Sequence, residues 1–194
     1  MQLKNSKQKF GAIAQLFHWT IVVLIVIQFV LAQRADGLPR GAALLATLAL
    51  HKSVGITILA LAILRLVWRW VNPVPPMPST APHWQQVAAR VSHIALYAVL
   101  LLMPLFGWLM SSARNFPVSW FGWVTLPDLI GANKQAYEFF HEGHEILAIV
   151  LLVLALAHIA AALKHHFIDK DDVLMRMLPW NRRRSTGTNT QDSR

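Results

Sequence analysis

Four long runs of this chain are almost free of charge, and histidines recur inside them. Phe10–Gln33 is 24 residues and Val91–Ala113 is 23, neither with a charged side chain; Gly41–Leu64 holds only Lys52, and Ile146–Leu163 adds 18 uncharged residues. A hydrocarbon layer about 30 Å thick needs about 20 apolar residues to cross it as a helix. No water is available there to satisfy backbone groups, so only helices and closed barrels can span it. Runs this long predict helices, and the fourth reaches a comfortable length if it starts near Tyr137 and ends near Lys164. The expected fold is all-α: a transmembrane four-helix bundle with spans at about 10–33, 44–69, 89–112 and 137–164. Residues 1–180 form this one membrane domain, and 181–194 a polar, basic, disordered tail. No internal repeat stands out.

Composition narrows the function. Only 14% of residues are charged and mean hydropathy is +0.43, against about 25% charged in soluble domains. The formal net charge of +9 sits in short clusters between apolar runs, which suits anionic membrane lipid and not nucleic acid. The absence of cysteine removes disulfides, thiolate–metal sites, iron–sulfur clusters and covalent haem attachment through C-x-x-C-H. The first run follows Lys4, Lys7 and Lys9, as in a signal peptide. It is much longer than the 7–15 residues typical of a signal's apolar region, so it reads as a retained span.

Lysine and arginine placement sets the expected orientation. Of 18 basic residues, only Arg34, Arg40, Lys52, Arg114 and Lys134 lie on one side, leaving 13 on the side with both termini. Both termini are therefore expected to be cytoplasmic. The five prolines of residues 72–82 read as a stiff cytoplasmic connection. The longest external connection, Ser111–Gln135, has Phe116, Trp120, Phe121 and Trp123 suited to the membrane interface.

Ionisable groups inside a bilayer are costly and need partners. His18, His51, His93, His144 and His158 lie in or at the ends of the spans. Followed along alternating helices, His18 and His158 fall in the cytoplasmic half, and His51 and His144 in the external half. His144 and His158 are 14 residues apart, about 21 Å of rise, and at about 100° per residue they return to within roughly 40° of one face. One helix thus offers two ligands at two depths. Pairs of imidazoles with no thiolate or carboxylate beside them suit low-spin iron in two non-covalent haem b groups: an inner haem on His18 and His158, an outer one on His51 and His144. A zinc or copper site would want three or four clustered ligands. Gly55 and Gly107 are places where a macrocycle can approach backbone. Lys52 and Arg114 outside, and Arg65, Arg69 or Arg90 inside, are candidate partners for propionates.

Other readings stay open. An intramembrane histidine can simply hydrogen-bond to a neighbouring helix. His141, in the H-x-x-H with His144, is a surface residue or a rival outer ligand. His93 competes for the inner iron or hydrogen-bonds a quinone carbonyl. His165 and His166 are either a solvated, lipid-facing helix end or part of a quinone site.

Several stretches carry a family likeness. They are FHWT around His18, LHKSVG around His51, RLVWRWVNPVPP closing span two, RVSHIALY around His93, and HIAAALKHHFIDKDDVLMRMLP from His158. With the spacing of His144 and His158, they resemble the bacterial cytochrome b561 family across most of residues 10–180. The resemblance implies a four-helix, di-haem, multi-pass protein of the bacterial inner membrane, with His18, His51, His144 and His158 as axial ligands. It also implies electron exchange with quinone, ubiquinone being the expected partner, and one activity in the family is superoxide oxidation with quinone as acceptor. His141 is an addition to the matching pattern.

Three functions compete. The first is an electron-transfer cytochrome, superoxide oxidase-like in the limiting case, linking a periplasmic redox partner or superoxide to the quinone pool. The second is a haem-bearing anchor subunit for a separate periplasmic oxidoreductase. The third, a haem-free transporter or metal-handling protein, is disfavoured by the lack of intramembrane carboxylates and of broken-helix repeats. Positive charge steers an anion such as superoxide, but Asp36, Asp128, Glu138, Glu142 and Glu145 offset most of it on the external side.

Overall fold

In the computed structural model, residues 2–78 and 81–179 are described; the expected tail at 181–194 lies outside them. Four long helices dominate: α1 (Ala12–Asp36), α2 (Ala42–Val71), α3 (His83–Ser112) and α4 (Lys134–Phe167). Each is long and apolar enough to cross a membrane. The helices overrun the expected spans, most of all α3, which starts at His83 and not near residue 89. Hydropathy marks where lipid stops, but a helix continues as long as its backbone bonds close, here up to Pro82. Pro104 lies inside α3 without ending it.

Ile21, Leu31, Val54, Ile58, Ala62, Val99, Leu100 and Leu151 form the core. Long apolar residues elsewhere, such as Val26, Val30, Ile149, Val153 and Leu156, are exposed, as a lipid-facing surface requires. Successive helices pack on one another, but no Cα of α4 comes within 8 Å of α1 or α2 among the described residues. Backbone to backbone, the fourth helix approaches α3 and neither of the others.

The α3–α4 connection contains a hairpin that hydropathy gives no hint of. β1 (Val118–Trp120) pairs antiparallel with β2 (Val124–Leu126), in the register Val118↔Leu126, Ser119↔Thr125 and Trp120↔Val124. Its three-residue loop places Phe121 at φ 49° and Gly122 at φ 77°. A bulky residue is strained there, and Phe121 is held by its N–H donating to Ser53 Oγ at 3.0 Å. Ser53 Oγ in turn lies 3.0 Å from Ser119 O, and Trp120 Nε1 donates to Thr57 Oγ1 at 3.0 Å. The hairpin is thereby pinned to the α2 turns flanking His51.

At the other end of the bundle three segments meet. Asn5 Nδ2 donates to Pro73 O at 2.9 Å, and Arg176 donates to Pro76 O at 2.6 Å. The N-terminal segment, the proline-rich connection and the stretch after α4 therefore share one face, called here the terminal face.

Candidate functional site

The histidines come together across the two intervals that backbone packing leaves open. His51 on α2 faces His144 on α4, with ring centroids 6.2 Å apart and planes at 68°. His18 on α1 faces His158 on α4 at 6.3 Å and 74°. Both pairs anticipated from depth are thus juxtaposed. All four rings are half-buried. On α4 the positions 144, 151, 158 and 165 recur every seven residues, which in an α-helix is about 20° short of two turns. They form one inward stripe, and Leu151 and His165 are the buried residues of that helix.

The tautomer of His144 follows from its partner. Its Nδ1 lies 2.9 Å from Met103 O, and a carbonyl can only accept, so Nδ1 bears the proton and Nε2 keeps its lone pair. This is the arrangement of a metal-ligating imidazole, whose second nitrogen donates to a carbonyl or carboxylate. Gly107 makes it possible: a Cβ there would lie 3.2 Å from His144 Cε1 and 3.4 Å from Nδ1. The space beside Gly107 is thus filled by the imidazole itself. Beside Gly55 it is taken by the Gln28 amide, whose Nε2 would lie 3.2 Å from a Cβ.

His18 Nδ1 is buried without a hydrogen-bond partner among the described residues. An unpaired buried polar atom costs on the order of 1–3 kcal/mol, so this ring is unlike a core histidine held by a neighbouring helix, whereas His51 interacts with the Gln28 backbone. Facing imidazoles, across an interval that neither backbone closes and without a carboxylate in the pair, fit axial ligation of haem iron.

The face of the bundle around His158 is more crowded than its counterpart. His93 on α3 lies with its ring 5.3 Å from that of His158, nearer than His18. Arg65 is a charged neighbour of His18, His93 and His158. Arg65 and Arg69 lie over the Tyr97 ring at 5.6 and 6.0 Å. Tyr97 is one turn from His93 on the same helix, the one signal by which the sequence might have given it away. Neither arginine has a carboxylate within 4.0 Å among the described residues.

The remaining expected residues fall elsewhere. Lys52 donates to Pro117 O at 2.7 Å and lies 5.8 Å from the Phe116 ring, directed towards the α3–α4 connection. Arg114 stacks on Tyr137 at 3.7 Å, and Arg90 is exposed. His141 is drawn to Glu145, 3.8 Å away, and to the Tyr137 ring, not to His51. His165 Nδ1 donates to Asp171 Oδ2 at 2.6 Å and lies 3.3 Å from Asp169, which Lys164 also binds. Such a cluster could suggest a cation site, but the Lys164 ammonium already occupies Asp169. His166 packs on Phe167.

A membrane-spanning bundle that offers histidines in facing pairs from helices otherwise kept apart defines a redox-type membrane protein, with nitrogen ligands for a planar metal cofactor. The model of the prokaryotic cytochrome b561 family matches residues 9–180. Cytochrome b561 homolog 2 of Escherichia coli (strain K12) is 38% identical over 186 residues, covering 92% of this chain and 95% of that protein. Cytochrome b561 homolog 1 of the same organism is 29% identical over 84% of this chain and 92% of its own length. A probable superoxide oxidase CybB of Yersinia pestis is 27% identical over 90% of this chain and 98% of its own length. The chain belongs to the prokaryotic cytochrome b561 family. It is a multi-pass membrane protein of a b-type haem family engaged in electron transport.

Proposed function

We propose that the chain holds two haem b groups, one between His51 and His144 and one between His18 and His158, and passes electrons between the two faces of a bacterial inner membrane. The observation that supports this best is the α4 stripe: His144 and His158 face His51 and His18 across intervals that have no backbone approach within 8 Å. Haem, when bound, supplies a one-electron carrier. The chain's own residues supply ligation, orientation and a dry path. The His144 bond to Met103 O fixes the tautomer and ring angle on one side. On the other, Arg65 and Arg69, unpaired with any carboxylate among the described residues, suit anionic propionates. Lys52 is assigned to an outer propionate on the same charge grounds, in exchange for its bond to Pro117 O, and Gly55 to close backbone approach of the outer group, the Gln28 amide beside it giving way. Basic residues concentrate on the terminal face, which supports both termini being cytoplasmic.

The electron partners proposed are ubiquinone on the terminal side and superoxide or a periplasmic redox protein opposite. Two superoxide anions would yield two dioxygen molecules, while one quinone takes two electrons and two protons to become quinol. His93 and His165 are the candidate quinone-site groups; with Nδ1 of His165 donating to Asp171, its Nε2 accepts from a quinol hydroxyl when the ring is neutral and donates to a quinone carbonyl only when the ring is protonated. The relative named as a probable superoxide oxidase supports the superoxide arm. A second reading, a haem-bearing anchor for a separate periplasmic oxidoreductase, is favoured by the aromatic hairpin, where Trp123 is 78% exposed.

A pyridine haemochrome assay with a reduced-minus-oxidised spectrum tests the site. The expected result is two non-covalent haems per chain, and a single haem would refute the pairing. Purified protein mixed with superoxide and a quinone separates the two functional readings. Quinone reduction above the spontaneous rate supports the first, and its absence the second.

A further inference from the structure

Neither histidine pair is spaced by direct packing of the two helices that carry it, and the terminal-side pair is separated by the longer relay. His18 is on α1 and His158 on α4, yet these helices have no Cα pair within 8 Å. Relayed only through α2 and α3, their spacing would accumulate the play of three helix interfaces. The segment after α4 supplies the missing link. Its near end is fixed to α4 by the Asp171–His165 bond at 2.6 Å, by Asp171 N–H donating to His165 O at 3.0 Å, and by the Lys164–Asp169 ion pair. Lys170, at φ 54°, turns the chain back towards the bundle. A short helical turn follows, with Arg176 N–H on Asp172 O at 2.9 Å and the Arg176 guanidinium on Asp172 and on Pro76 O. The far end is caught by α1: Gln15 Nε2 lies 3.2 Å from Arg176 O, and Trp19 Nε1 donates to Met177 O at 3.0 Å.

The Trp19 ring in turn stands edge-on to His18, 5.2 Å between centroids. The path runs from His158 along α4 to His165, by a hydrogen bond to Asp171, along the chain to Met177, and through the Trp19 bond and ring to His18. The geometry points to a strap, residues 168–178, that sets the separation and ring angle of the terminal-side histidine pair, with Gln15, Trp19 and Asp171 as positioning residues. At the outer pair the α3–α4 connection, bonded to α2 through Lys52, Ser53 and Thr57, takes the corresponding place, while Gly107 and the Met103 carbonyl orient His144. Metal sites lose about 10–100-fold in affinity when a ligand's orienting partner is removed, and the strap acts one step further out on two ligands at once.

This inference rests on the two-haem reading above, and the test separates them. Trp19→Phe keeps an aromatic ring against His18 and deletes one hydrogen bond; Gln15→Ala with Trp19→Phe deletes both catches; Asp171→Asn weakens the near anchor. Each full-length protein is purified with haem, and four properties are read: haem per chain after dilution in detergent, low-spin electron paramagnetic resonance, midpoint potentials, and protease access to residues 168–178. In the double variant the strap should become cleavable and the terminal-side haem should be retained about tenfold less well, with shifted g-values and potential. The outer haem should keep its spectrum, which also certifies the fold. Wild-type protein with fewer than two haems refutes the site reading itself. Two haems in wild type, with equal loss of both in the variant, overturns the strap. So does an unshifted terminal-side haem over a cleaved strap, or a strap that stays protected.

Discussion

Gly107→Ala separates ligand positioning from stability because it disturbs the first and leaves the second nearly unchanged. Glycine within a helix costs roughly 0.5–1 kcal/mol relative to alanine, so the substitution should by itself steady α3. The new Cβ, however, would lie 3.2 Å from His144 Cε1, where carbon–carbon contacts prefer about 3.5–4.0 Å. The imidazole must retreat by about 0.3–0.8 Å on that scale. Its Nδ1 bond to Met103 O, now 2.9 Å, lengthens or bends. That bond is worth about 1 kcal/mol in stability. As an orienting contact on a ligand it is worth about 10–100-fold in affinity, or roughly 1.4–2.8 kcal/mol at 1.4 kcal/mol per decade. The two stability effects nearly cancel, so the haem-free chain should unfold at a nearly unchanged temperature, while outer-haem affinity falls by one to two decades and inner-haem affinity holds. Haem titration of the stripped protein, followed in the reduced-minus-oxidised spectrum beside a melting curve, reads both. If the outer haem binds as in wild type, Gly107 does not seat His144 in its ligating position. If both haems weaken together with a lower melting temperature, the glycine is a general packing residue and the argument fails.

Other perturbations test other links. His158→Ala should abolish the inner-haem signal and spare the outer one; loss of the outer signal alone would contradict the pairing. His93 stands nearer to His158 than His18 does, so His18→Ala and His93→Ala should be compared directly. The expected result is haem loss in the first and retention in the second, and the reverse result would make His93 the ligand. Ser53→Ala leaves the Phe121 N–H, now donating at 3.0 Å, without its acceptor. At about 1–3 kcal/mol for such a loss the hairpin should open locally, and unchanged hydrogen-exchange protection of the Phe121 amide would refute the anchoring. Because the chain has no cysteine, Lys7→Cys and Lys134→Cys each give a single label site. In intact spheroplasts an impermeant maleimide should label position 134 and not position 7; labelling of position 7 would invert the proposed orientation.

The pairing of the histidines was legible in the sequence because it depends on one-dimensional quantities. Rise per residue turns position into depth, and a 14-residue step turns His144 and His158 into one face. Neither needs knowledge of which helices touch. Features that do need it stayed out of reach. Seen from the sequence, Gly107 is room for a macrocycle; only the fold shows that the ring it admits is His144. Ser53 is a polar residue two after His51, and its role at Phe121 and Ser119 appears only once a hairpin 66–68 residues away has been folded over it. Hydropathy set the start of α3 six residues too late, at 89 and not His83, because it reports lipid and not backbone bonding.

The fold also adds a reason for the arrangement. A planar cofactor between helices prevents those helices from packing on one another, so a bundle that holds two of them on one shared helix must leave that helix short of neighbours. α4 has the paucity of neighbours that the proposed two-haem reading calls for: its backbone approaches α3 and neither α1 nor α2, and of its 34 residues only Leu151 and His165 are buried. Stability forgone by α4 has to be recovered where no macrocycle intervenes, and the structure recovers it at both ends. Asn133 caps its first turn through Oδ1, which accepts from Ala136 N at 2.9 Å, and the strap after Phe167 ties its last turn to α1. The histidine stripe and the reinforced helix ends are thus two consequences of one constraint. A variant that weakens either end should loosen α4 most when the haems are absent and least when both are bound, since ligands that bind only the folded form stabilise it by mass action. Hydrogen exchange along α4, compared with and without haem, would show equal protection in both states if the constraint were imaginary.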